Sequence, residues 1–134
     1  MKPYVFGGSA YVVLDGELDI ARRAEIAAAF PDAQAVSSVV INLARASYID
    51  SMVIGVLVGF RRAFVDAGGS PSHLVLMLPQ EGPIRRTFEI CGLTQLFPIA
   101  YVVPTDVDEP ITSRVIEDAI ANAAKSSAEE VASS

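Results

Sequence analysis

The order of apolar runs along the chain constrains the fold more than any other feature of the sequence. Short runs rich in Val, Ile, Leu and Tyr alternate with longer segments of helix-forming residues, and several of these runs are continuously apolar. Strands of this kind are buried on both faces, as happens when helices cover a sheet with parallel strand pairs. The predicted strands are residues 4–6, 11–14, 38–43, 73–78 and 99–103. The sequence therefore predicts an α/β fold in which about four helices cover a mixed sheet of four to five strands.

Four segments between or after these strands have the composition of helices. They are residues 20–30, 52–67, 83–92 and 110–124. Asp19 is well placed to cap the first helix at its N-terminus. We expect a single domain over residues 1–124, followed at residues 125–134 by a small, polar and disordered tail.

Composition excludes several classes of function. The chain has 134 residues, enough for one domain of ordinary size, and carries ten basic and sixteen acidic side chains for a net charge of −6. Because no basic stripe is present, we expect no nucleic-acid partner. The longest apolar run, residues 52–60, is too short to span a bilayer, so we expect no membrane insertion. A single cysteine and the lack of a signal-like N-terminus favour a cytoplasmic protein.

The sequence offers little catalytic chemistry. His73 is the only imidazole, and although a Ser51–His73–Asp50 triad can be written, no nucleophile-elbow sequence surrounds the serine. We expect Cys91 to be a small buried apolar residue. The carboxylates within residues 15–19 lack the remaining ligands of a calcium loop. We therefore expect no enzymatic activity, no cofactor and no metal site, and a hydrolase ranks last among the functions considered.

The dipeptide Asp50-Ser51 stands directly before the most apolar helix of the chain. In a structural interpretation, one of the two residues is simply the N-cap of that helix. In a functional interpretation, the Ser51 hydroxyl is a phosphorylation site, and a phosphate there would meet free backbone N–H groups at the positive end of the helix dipole. Both interpretations predict an exposed Ser51 at or next to a helix N-terminus.

At 100° per residue, one arc of this helix is expected to face the sheet. Its members are Met52, Val53, Val56, Leu57, Phe60, Ala63 and Phe64. Three apolar residues, Ile54, Val58 and Val65, fall outside that arc. Either a neighbouring helix covers them, or they form a protein-binding surface beside Ser51.

At these residues the chain resembles the STAS domains, most closely the bacterial anti-sigma-factor antagonists. The stretch Leu-Asp-Gly-Glu-Leu-Asp at residues 14–19 resembles an early motif of that family. Residues 39–43 with Tyr-Ile-Asp-Ser at 48–51 look like its central strand and phosphorylation loop. The segment 55–69 is similar to the long helix after that loop, and residues 75–97 resemble the closing pattern of the family.

The resemblance implies a non-enzymatic switch protein. Such antagonists bind a serine-kinase anti-sigma factor of the GHKL type and thereby release a sigma factor, while a serine phosphatase can reverse the phosphorylation. By match to the motif, Ser51 is the phosphoacceptor. The residues implied to contact the partner are Asp19, Asp50, Met52, Val53 and Ile54.

The chain departs from the family pattern immediately after the acceptor. The family usually has Asp-Ser-Ser/Thr-Gly, whereas this chain has Asp-Ser-Met-Val at residues 50–53. We expect Val53 to place a β-branched side chain where a glycine would allow a partner to approach closely. Either the kinase is unusual, which we favour, or phosphorylation has been lost and binding remains.

The alternative function is a STAS-type unit that binds a small molecule or lipid, or that regulates a transporter complex. In that case Ile54 and Val58 would lie against a lipid tail or a transporter subunit.

Overall fold

A computed structural model of the protein describes residues 2–102 and 110–133, the last eight of these as backbone only. The described residues contain seven strands. They are β1 (Tyr4–Phe6), β2 (Ser9–Val13), β3 (Gly16–Leu18), β4 (Ser38–Asn42), β5 (Ala46–Ile49), β6 (Leu74–Pro79) and β7 (Ile99–Val102).

Five of these strands form the main sheet, in the order β1-β2-β4-β6-β7. β1 pairs antiparallel with β2, and every later neighbour pair is parallel. The mixed α/β sheet that the apolar runs predict is therefore confirmed. The last strand ends at Val102, and the predicted extension to Val103 lies outside the described residues.

Five α-helices accompany the sheet within the described ranges. They are α1 (Arg23–Ala28), α2 (Ser51–Asp66), α3 (Pro83–Ile90), α4 (Leu93–Leu96) and α5 (Ser113–Ser133). The helix predicted for residues 20–30 is shorter than expected, since a 3-10 turn at Ile20–Arg22 precedes α1. The expected N-cap is confirmed, because the Asp19 carboxylate accepts a hydrogen bond from the backbone N–H of Ala21 at 3.0 Å.

Helices pack on both faces of the main sheet, which explains why its strands are apolar throughout. One face carries α1 to α4, with side chains such as Ile26, Leu57 and Phe88 buried against Ile41 and Leu76. The opposite face is covered by α5, whose buried residues Ile116, Ala119 and Ala123 pack against Tyr11, Val40, Val75 and Met77. Alternate residues of each strand therefore enter different halves of the core.

The helix α5 differs from the prediction at both ends. It begins at Ser113 and not at Pro110, and its backbone continues to Ser133, past Ala124, where the sequence placed its end. The boundary of the folded domain near residue 124 stays a prediction. Across the described residues, no helix combines the length and the apolarity needed to cross a membrane.

A second, two-stranded sheet was not predicted from the sequence. β3 and β5 pair in parallel, and their register shifts between Gly16 and Glu17. The shift falls at Gly16, whose φ of +74° lies in the region that favours glycine and suits a bulge. This small sheet positions the site described next.

Candidate phosphorylation and partner-binding site

The β3–β5 sheet brings two helix starts side by side. Leu18 at the end of β3 is the register partner of Ile49 at the end of β5. The backbone N–H of Asp50 donates to the Leu18 carbonyl at 3.3 Å, so Asp19 and Asp50, the next residues on each strand, are neighbours. Each of the two aspartates caps the helical segment that follows it.

Ser51 is the first residue of α2, and it is exposed. The predicted position of this serine is therefore confirmed. It lies where the chain leaves the small sheet and enters the longest helix on this face.

The N-terminus of α2 is less open than the sequence suggested. The Asp50 carboxylate accepts hydrogen bonds from the backbone N–H groups of Met52, at 3.0 Å, and Val53, at 3.3 Å. The expectation that a phosphate on Ser51 would meet free N–H groups is therefore wrong for these two donors. A phosphate would instead share the helix terminus with a carboxylate that already holds them.

Val53 is not a surface residue. Its side chain is 0% exposed and belongs to the core beneath α2. The expectation that it meets a partner is therefore wrong. The departure from the family pattern at this position changes the core and not the exposed surface beside Ser51, because in the first turn of α2 this residue points toward the sheet. Met52 and Ile54 are half-buried and pack against the same core, which leaves part of each side chain accessible.

The outer face of α2 is smooth beside Ser51. Gly55 and Gly59 are exposed, and nothing lies within 4 Å of the place where a Cβ would stand on either residue. Val58 is 38% exposed between them. Ile54 and Val65 are half-buried and pack against the core, so they are largely covered within the protein. Of the three apolar residues outside the core arc, only Val58 has an exposed side chain.

Two exposed apolar residues near Ser51 were missed by the sequence analysis. Ile20, directly after Asp19, is 70% exposed, and Tyr48, two residues before Asp50, is 52% exposed. Tyr48 pairs in register with Glu17, so both side chains leave the same outer face of the small sheet. The helical angle of Ile20 could have indicated this exposure, because at 100° per residue Ile20 lies about 120° around the helix from Ile26, which is buried.

Arg22 organises the loop that leads into β3. Its Nη1 donates to the carbonyls of Asp15, at 2.7 Å, and Glu17, at 3.0 Å. Its Nε and Nη2 donate to the two carboxylate oxygens of Glu25, at 3.0 and 3.3 Å. These hydrogen bonds lower the pKa of Glu25 below its usual range and raise the pKa of Arg22.

The other chemistry-bearing residues lie away from this site. His73 lies in the exposed 3-10 turn after α2 and not in a strand, since β6 begins at Leu74. The 16 residues of α2 span about 24 Å and separate Ser51 from that turn. His73 is therefore too far from Ser51 and Asp50 to form the triad considered from the sequence. Cys91 is exposed after α3, so its expected burial is wrong. Within the described ranges, no group of three or more His, Cys, Asp or Glu side chains is arranged to hold a metal ion.

A small pocket of about 180 Å³ lies on the α5 face of the sheet, near Tyr4, Asp15, Arg45 and Ile111. At its floor, the Asn42 amide donates to the Tyr11 hydroxyl at 2.8 Å, and its oxygen accepts from the Ala44 N–H at 2.9 Å. Burial raises the pKa of Tyr11, which keeps the phenol protonated. The buried polar groups of the pocket are thus satisfied by one another.

Solved structures with a similar fold include anti-sigma factor antagonists. SpoIIAA, a Bacillus cell fate determinant, in its phosphorylated form aligns with a TM-score of 0.54 and 27% identity, over 72% of this chain and 86% of that one. The unphosphorylated form of SpoIIAA aligns with a TM-score of 0.56 and 28% identity, over 72% of this chain and 84% of that one. An anti-sigma factor antagonist from Mycobacterium paratuberculosis aligns with a TM-score of 0.62 and 21% identity, over 78% of this chain and 86% of that one. Because the identity is low, this alignment supports the fold alone.

The family comparison covers most of the chain. No curated protein sequence matches it. The STAS domain model matches residues 4–105, which include the main sheet, the small β3–β5 sheet and Ser51. The protein therefore belongs to the STAS domain family.

Proposed function

We propose that this protein is an anti-sigma factor antagonist controlled by phosphorylation of Ser51. In this proposal it acts in the cytoplasm, binds a serine-kinase anti-sigma factor of the GHKL type, and thereby releases a sigma factor. The kinase phosphorylates Ser51, and a serine phosphatase reverses the modification. The observation that carries the proposal is the exposed Ser51 at the first position of α2, held beside Asp19 by the β3–β5 pairing.

The surface around Ser51 has the composition of a protein interface. Ile20 and Tyr48 supply exposed apolar area, and the carboxylates of Glu17, Asp19 and Asp50 surround it. Interfaces bury apolar and aromatic anchors at the centre and satisfy polar groups around them. We propose that the partner covers this surface with apolar side chains and brings hydrogen-bond donors or cations to the carboxylates.

Phosphorylation would change this surface through charge. In the transfer, the Ser51 Oγ attacks the γ-phosphorus of ATP, ADP leaves, and the hydroxyl proton passes to a base on the kinase. The product adds about −1.5 to −2 charges next to the Asp50 carboxylate. An interface formed around a neutral hydroxyl must then desolvate a dianion, which costs several kcal/mol if no partner group compensates it. Release of the kinase follows.

The role of this chain in the proposal is binding and not catalysis. Its only histidine lies beyond the far end of α2, so the described residues place no imidazole beside Ser51 to activate it as a nucleophile. The lipid or transporter alternative needed Ile54 and Val58 as free apolar side chains, and the packing of Ile54 against the core weakens it.

The test combines phosphorylation with binding. The protein is incubated with the GHKL-type anti-sigma factor encoded in the same genome and with Mg-ATP, and the modified residue is located by mass spectrometry. We expect one phosphate per chain on Ser51, none on Ser51→Ala, and displacement of the sigma factor by the unmodified protein. Binding without phosphate transfer would show that the switch has been lost, and absence of binding would contradict the proposed function.

A further inference from the structure

We propose that Arg22 is a positioning residue for partner binding. It fixes the loop before β3 so that Asp19 and Ile20 stand beside Ser51. This inference rests on the proposed function, because Arg22 itself is not expected to contact the partner. Its side chain is only 25% exposed, and its guanidinium is occupied by groups of its own chain.

The guanidinium bridges the backbone on both sides of Gly16. A single nitrogen, Nη1, donates to the carbonyls of Asp15 and Glu17. Gly16 between them has a φ of +74°, and a Cβ added there would stand 3.4 Å from that same nitrogen. The positive φ turns the two carbonyls toward one donor, so Gly16 and Arg22 form a matched pair that holds the bulge.

The opposite side of the guanidinium is fixed by α1. Glu25, one turn along, accepts two parallel hydrogen bonds from Nε and Nη2. Such a bidentate pair sets the plane of the guanidinium as well as its place. Arg22 therefore connects α1 to the loop before β3, and the 3-10 turn with Ile20 lies between these two attachments.

The fixed loop is also one side of the phosphorylation site. The Gly16 N–H donates to the Arg45 carbonyl at 3.1 Å, and the Leu18 carbonyl accepts from the Asp50 N–H. Displacement of the segment from Gly16 to Leu18 would therefore move Asp19 relative to Asp50 and Ser51. Since Arg22 acts on an exposed loop, its loss should affect the geometry of the binding surface more than the free energy of unfolding.

The test compares Arg22→Gln with Arg23→Gln. Arg23 is the next residue, it is exposed, and its substitution changes the net charge equally. We expect Arg22→Gln to weaken binding of the anti-sigma kinase roughly tenfold, with the melting temperature lowered by at most a few degrees. Arg23→Gln should bind as wild type. Equal affinity for the two variants would overturn the proposal.

A mutant cycle separates positioning from direct contact. If Arg22 acts through Asp19 and Ile20, adding Arg22→Gln to the Asp19→Asn/Ile20→Ala variant should weaken binding no further. Losses that multiply would mean that Arg22 contributes independently of both residues, which contradicts a positioning role. Arg22→Lys, which keeps a donor for the two carbonyls, should recover part of the affinity.

Amide hydrogen exchange on the free protein makes the inference testable without any partner. In Arg22→Gln, the amides of Gly16 and Asp50 should exchange faster than in wild type, while those of the central strands β4 and β6 keep their rates. If wild type binds no kinase of this class, the proposed function fails, but the exchange data still decide whether Arg22 holds the loop. Unchanged exchange at both amides would overturn the inference.

Discussion

Ser51→Asp isolates the charge that phosphorylation would bring to the start of α2. In the free protein, the new carboxylate lies at the first position of the helix, where the dipole favours it by about 0.3–1 kcal/mol. The neighbouring Asp50 carboxylate opposes this gain, although two backbone N–H groups already hold it. We expect the two effects to cancel to within about 1 kcal/mol, which corresponds to a change in melting temperature of about 3–4 °C for a chain of this length.

The effect on binding should be much larger. In the complex, the carboxylate at residue 51 would be buried beside Asp50 and the half-exposed Met52 and Ile54. An uncompensated buried charge costs several kcal/mol, and each 1.4 kcal/mol weakens binding about tenfold. We expect a loss of at least tenfold for Ser51→Asp. The true phosphate should cost more, because it carries about twice the charge.

Calorimetric titration of the anti-sigma kinase measures this loss. Ser51→Asn is the matched control, because it has nearly the size of aspartate without the charge, and Ser51→Ala reports the loss of the hydroxyl alone. Both controls should bind within a few-fold of wild type. Binding of Ser51→Asn as weak as that of Ser51→Asp would indicate a steric effect, and folded Ser51→Asp that binds as tightly as wild type would show that charge at residue 51 does not control binding.

Four other substitutions or conditions have defined outcomes. Val53→Gly should lower the free energy of unfolding by about 2–4 kcal/mol in denaturant titrations, because it removes a buried side chain and adds a helical glycine, while the folded fraction binds the partner normally. Gly55→Ala should stabilise α2 by about 0.5–1 kcal/mol in the same assay, and weaker partner binding by this variant would show that the partner approaches the helix there closely. The Glu25 carboxyl should titrate by NMR below its ordinary pKa near 4.5, so its ion pair with Arg22 stabilises the fold fully above pH 4.5 and is lost as the pH falls through the lower pKa of the folded state. In Arg22→Gln, the titration midpoint of Glu25 should return toward 4.5. Deletion of residues 126–134 should leave melting temperature and partner binding almost unchanged, and a loss of several degrees would show that this segment docks.

The sequence predicted the main elements because their signals are local and strong. β4 and β6 are continuous apolar runs, and α2 combines a capping aspartate with a long apolar stripe. β3 and β5 have only three and four residues, and they exist because they pair with each other across a large sequence separation. No local pattern reports such a pairing, so it was missed.

The candidate site was predicted unevenly for the same reason. The position of Ser51 follows from its place before an apolar helix, and it was predicted correctly. The burial of Val53 was predicted correctly by its place in the helical arc that faces the sheet, whereas the motif comparison assigned the same residue to the partner surface, which is wrong. The attachments of Arg22 depend on a bulge that the sequence marks only with one glycine.

Under the proposed function, the parallel pairing of β3 with β5 would also decide what the kinase recognises. Asp19 and Ser51 are 32 positions apart in the sequence, and only the folded chain brings the ends of β3 and β5 that precede them together. A synthetic peptide centred on Ser51 would therefore lack half of the surface and should be a poor substrate. In a cell, an unfolded or partly synthesised copy would neither capture the kinase nor be modified by it. The regulatory signal would thus follow the concentration of native protein and not the total amount of chain.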